Sequence, residues 1–86
     1  MSNKSILVEM IKDFSCNQMS ELVETIGFEY NISVKYLPND KWLIIDNYDS
    51  DIEPVVSTNS EIIDYGLETW DFNDLLNEII LIKGVE

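Results

Sequence analysis

The chain has 86 residues, enough for one domain with a thin core, and ordinary hydrophobic (45%) and charged (26%) fractions. Five Lys, no Arg and no His stand against seventeen Asp and Glu, a net charge of -12. On this balance direct binding to DNA, RNA or an anionic membrane is excluded, because each needs a basic surface, and the missing Arg removes the usual bidentate reader of phosphate and guanine.

Ile6, Leu7, Met10, Ile11 and Phe14 recur at helical spacing, which predicts a helix over residues 3 to 14. Met19, Leu22, Val23 and Ile26 form a second stripe, but at ~100° per residue it lies on a different side. One straight helix cannot bury both, so a break is expected near Ser15-Cys16-Asn17. Ser15 with Gln18 has the form of a capping box, Asn17 is a competing N-cap, and Gly27 is the expected stop.

Asn31 to Leu37 alternates, with Ile32, Val34 and Tyr36 on the inward face. Pro38-Asn39-Asp40 is turn chemistry, and Trp42-Leu43-Ile44-Ile45 reads as a central strand, so the two runs predict an antiparallel hairpin. Asp46 to Glu53 is too charged to be core and reads as a loop. Pro54 allows at best an edge strand at Val55-Val56-Ser57. Residues 59 to 66 have two readings. Thr58 with Glu61 has capping-box form before a short helix ending at Gly66; a strand with Ile63, Tyr65 and Leu67 inward competes, and the helix is preferred. Asp71 is the N-cap of a last helix with the stripe Phe72, Leu75, Leu76, Ile79 and Ile80, and Gly84 as its stop. Leu81 falls opposite that stripe, which leaves it exposed, paired in a strand over 79 to 82, or covered by a partner. The expected fold is α+β over residues 1-86: an N-terminal helix or kinked helical pair, a two- to three-stranded antiparallel sheet, and a C-terminal helix packed on the sheet.

The chain lacks the parts of most catalytic sites. With no His and one Cys, Ser-His-Asp and Cys-His nucleophiles and closed thiolate zinc sites are out of reach within one chain. Gly27, Gly66 and Gly84 make no nucleotide-binding pattern. Paired carboxylates arise by chance among seventeen acids, and a chain this short has little room for a deep cleft. Asp49-Ser50-Asp51-Ile52-Glu53 begins like a calcium loop, but Pro54 stands where the loop needs Gly and Ser60 where it needs Glu. No enzyme, metal or cofactor is expected. Cys16 has acids rather than cations nearby, and the expectation is a packed, inert thiol. A lone Cys and no signal-peptide pattern point to a cytoplasmic setting.

The informative feature is charge asymmetry. Residues 42 to 82 hold Asp46, Asp49, Asp51, Glu53, Glu61, Asp64, Glu68, Asp71, Asp74 and Glu78 with no Lys, while residues 1 to 41 are only -2. Ordinary solvated faces mix both signs. Aromatics on strands are usually core, and Trp42 and Tyr36 are expected there, but Tyr48 sits inside the acid loop. Aromatics ringed by acids suit an interface, with the ring as anchor and the charges as steering. The expected partner-binding residues are Asp46, Tyr48, Asp49, Asp51, Glu53, Glu61, Asp64 and Glu68. In size and charge, though in no motif, the chain is similar to small phage-encoded anti-defence proteins, including anti-CRISPR and anti-restriction proteins. That likeness implies a non-enzymatic inhibitor that mimics nucleic acid on the basic site of a nucleic-acid-binding enzyme. An immunity protein or antitoxin masking a nuclease toxin is the alternative.

Overall fold

Side-chain oxygens just ahead of each apolar stripe set where the helices begin. In the computed structural model, which describes residues 2–27, 32–49 and 51–84, four α-helices flank a three-stranded antiparallel sheet. Helix α1 spans Asn3–Ile11 and is capped by Ser2, whose Oγ accepts from the Ser5 amide. Helix α2 spans Cys16–Thr25 and starts with a full capping box: Ser15 Oγ accepts from Gln18 N, and Gln18 Oε1 accepts from Ser15 N. Ser15 therefore takes the cap and Asn17 falls within the first turn. Gly27, at φ +117, follows the end of α2 in a backbone conformation that side chains disfavour. Phe28, Tyr30 and Asn31 lie outside the described residues.

Strands β1 (Ile32–Leu37) and β2 (Lys41–Asp46) form the expected hairpin, with Ile32 opposite Asp46 and Leu37 opposite Lys41. Asn39 and Asp40 close it at φ 67 and 58, the left-handed region that Asn and Asp tolerate. Strand β3 (Val55–Thr58) pairs antiparallel with β2, Ile44 opposite Val55 and Lys41 opposite Thr58, so the order is β1-β2-β3 and β2 is central. Thr58 is also the N-cap of α3 (Asn59–Thr69), in a second reciprocal capping box with Glu61. Residues 59 to 66 are thus helical. Asp71 Oδ1 accepts from Asp74 N at the start of α4 (Phe72–Gly84).

One face of the sheet meets the helices. Ile32, Val34, Trp42 and Ile44 join Leu7, Ile11, Phe14, Met19, Leu22, Val23, Ile26, Ile62, Ile63, Leu75, Ile79 and Ile82 in a single cluster. Trp42 is buried, and its indole Nε1–H donates to Asn59 Oδ1 at 2.6 Å. The other face, carrying Lys35, Leu37, Leu43, Ile45 and Val56, is partly or fully open to solvent. Among the described residues no helix is long and apolar enough to cross a membrane.

Five expectations need correction. Helix α1 stops at Ile11, and Phe14 is buried from the connector rather than from the helix. Tyr36 alternates inward with Ile32 and Val34 but lies at the hairpin end, where it is 53% exposed and meets Trp42 edge to face, ring centroids 5.1 Å apart. Cys16 is exposed, because it opens α2 one turn ahead of Met19, where burial begins. Gly66 does not end α3 but lies buried within it; a Cβ there would stand 3.0 Å from Leu75 Cδ2 and 3.5 Å from Ile26 Cγ2, so the missing side chain is what lets α4 approach. In α4 the buried stripe is Leu75, Ile79 and Ile82, while Ile80 is 50% exposed, one residue round the helix from it. Leu81 is exposed and helical.

Candidate acidic interface

Between β2 and β3 the chain folds on its own carboxylates. Asp46 Oδ1 accepts from the amides of Tyr48 (2.8 Å) and Asp49 (3.2 Å), and Asp49 Oδ1 accepts from Asp51 N at 3.0 Å. The Ile52 amide donates to Asp49 O, and Asn47 Nδ2 bonds Ser33 Oγ, which ties the loop to β1. These are the side-chain turns that short acids make in place of regular structure. Each carboxylate has a second oxygen, and Asp49, Asp51 and Glu53 are exposed. Tyr48 is 82% exposed in the same loop, and Ile52 is 48% exposed.

Position in the sheet decides which expected residues stand together. Asp46 ends β2 opposite Ile32, so Asp46, Tyr48, Asp49, Asp51 and Glu53 cluster beyond that end of the sheet. Glu61 belongs with Thr58, which pairs with Lys41 at the other end. Lys41 and Asp46 are five residues apart along β2, roughly 17 Å at strand rise. Glu61, Asp64 and Glu68 are all exposed and share one side of α3, at i, i+3 and i+7. Glu61 is occupied in its capping box, and Asp64 Oδ2 accepts from Lys4 Nζ at 2.8 Å. Glu61, at the start of α3, therefore stands at the opposite end of the sheet from the loop cluster.

Cations do little to neutralise the stretch. Among the described residues the ion pairs are Lys4–Asp64 and Lys12–Glu9. Lys83 donates instead to Met10 O at 2.7 Å, so the last turn of α4 supplies a cation to the last turn of α1. The Lys12 ammonium is held above its ordinary value, first by its hydrogen bond to Glu9 and then by the charge of that carboxylate. Of the acids between Trp42 and Ile82, Asp64 alone has a cationic partner among the described residues.

A second acidic concavity lay outside the expected site. Glu21, Glu24 and Thr25 of α2 face Glu78, Leu81 and Ile82 of α4 across a shallow groove. Glu21 and Glu24 are visibly i, i+3 neighbours in sequence, but only the packing of α2 on α4 brings Glu78 to them, and no local pattern signals that. Among the described residues no group of three or more acids or thiols is placed to hold a metal ion.

No family model, no curated protein and no solved structure matches the chain.

Proposed function

We propose that the chain is a non-enzymatic inhibitor that occupies the basic nucleic-acid-binding site of a cytoplasmic partner protein, its carboxylates standing in for phosphates. The observation that supports this most is the loop at the Asp46 end of the sheet. It is exposed and uncompensated by any cation among the described residues, and its own hydrogen bonds set its shape before a partner arrives. Preset shape lowers the ordering cost of binding, and uniform charge accelerates encounter with a basic surface. Tyr48 would be the aromatic anchor within the charged rim.

The test begins with capture of a partner from host lysate at low salt, followed by elution with competing oligonucleotide. A partner released by oligonucleotide, with affinity falling steeply as salt rises, supports mimicry. A partner that ignores both removes it. On that partner, changing Asp46, Asp49 and Asp51 to Asn and Glu53 to Gln together should slow association about tenfold or more while leaving the fold intact, since Asn retains the Oδ1 acceptor. An unchanged association rate would place the site elsewhere.

A further inference from the structure

Strand β3 is a sheet edge with no strand paired on its outer side among the described residues. Its neighbours in the fold are β2 on one side and the α3 helix that continues from it, whereas β1, the opposite edge, packs against α2. Among the described residues Val55, Val56 and Ser57 make no backbone hydrogen bond outside the β2 ladder. Proteins protect such an edge with shortness, a charge, a proline or a bulge; β3 is short at four residues, but it carries no charge or bulge, and Pro54 lies ahead of the strand rather than in it. Val55 and Val56 are 46% and 49% exposed. Val56 shares the open face of the sheet with its partner Leu43 and with Ile45, and neither Leu43 nor Ile45 packs against the core. Asp51 and Glu53 lead directly into the strand.

We propose that β3 is a docking edge on which an extended basic segment of the partner protein adds a fourth strand. Backbone bonds to β3 would supply affinity, alternate apolar side chains would cover Val56, Leu43 and Ile45, and lysines or arginines at one end would meet Asp49, Asp51 and Glu53. The proposal rests on the basic-partner reading above and adds the mode of recognition. A second copy is the poorer occupant. Pairing two β3 strands would bring together two chains that each carry a net charge of -12.

Isotope-labelled full-length protein would be titrated at low salt with a synthetic peptide of alternating lysine and valine. Three comparison peptides would be run beside it: one with alternate backbone nitrogens methylated, one with glycine for valine, and one with glutamate for lysine. The expected result is binding by the lysine–valine peptide, with amide shifts and slowed exchange centred on Val55–Ser57. Methylation should weaken it about tenfold, the loss of roughly two backbone hydrogen bonds, and the glutamate peptide should not bind. Equal binding by the methylated or the glycine peptide would overturn strand addition while leaving the acidic-interface reading standing. Shifts centred on the α2–α4 groove would also overturn it. Failure of every lysine peptide would sink both readings. Dimerisation in sedimentation runs, with shifts confined to β3, would give the edge to a second copy instead.

Discussion

Asp40 stands in the left-handed region at φ 58 and accepts the Tyr36 hydroxyl, so one turn residue organises both the hairpin and an aromatic ring. The hydrogen bond to Asp40 raises the Tyr36 pKa above its ordinary 10.0, with desolvation and the nearby carboxylate charge adding to it. The folded form therefore keeps this proton to higher pH than the unfolded form does. The stabilisation is fully present below about pH 10 and is lost as pH climbs through the raised folded value. Absorbance titration of the tyrosines should show one late-ionising group, and Asp40→Ala should return it toward the ordinary value. If the late group persists in that variant, the hydrogen bond is not its cause. At the same scale Gly66 shows what a single residue conceals. In sequence it resembles a helix stop; in the fold it is the place where Leu75 and Ile26 meet α3.

At the scale of elements the caps are the simplest determinants to test. Ser15→Ala and Thr58→Ala should each cost about 1 kcal/mol in urea unfolding, because each leaves orphan amides at a helix start, whereas Asn17→Ala should change little. Equal losses at Ser15 and Asn17 would contradict the observed cap. These features were legible in the sequence because their partners lie three residues away, as was the hairpin, whose alternation and turn residues are local. The four-helix, three-strand α+β arrangement follows from such local signals in order. What was not legible depends on how far a neighbouring element extends. Tyr36 is on the inward face but beyond cover; Cys16 is one turn ahead of the covered part of α2; and Ile80 lies beside the stripe that Ile82 completes. The candidate site follows the same rule. Composition marks Asp46–Glu53 as a loop, but only the β2–β3 register shows that Glu61 belongs to the far end of the sheet.

Over the whole molecule, charge acts on folding and, in the proposed function, on binding with opposite signs. A net charge of -12 on a chain of this size opposes its own compaction. Screening should therefore stabilise the free protein while weakening the proposed complex. If moderate salt relieves about 1 kcal/mol of repulsion, the thermal midpoint should rise by roughly 4–8 °C. Calorimetry in low salt and in about 0.5 M sodium chloride would measure the rise, with Debye screening lengths of roughly 4 Å at the higher value. A midpoint that falls with salt would mean that the Lys4–Asp64 and Lys12–Glu9 pairs outweigh the repulsion, contrary to the usual small worth of exposed pairs.

Strand β3 passes into α3 without a linker, and Thr58 belongs to both as last strand residue and N-cap. The next residue, Asn59, holds the indole of Trp42 from the neighbouring strand. Strain applied along β3 therefore reaches a buried fluorophore within two residues. The molecule carries its own optical gauge of that junction. In a Trp70→Phe background, emission from Trp42 should shift when β3 is engaged and stay unchanged when a ligand touches only the α2–α4 groove.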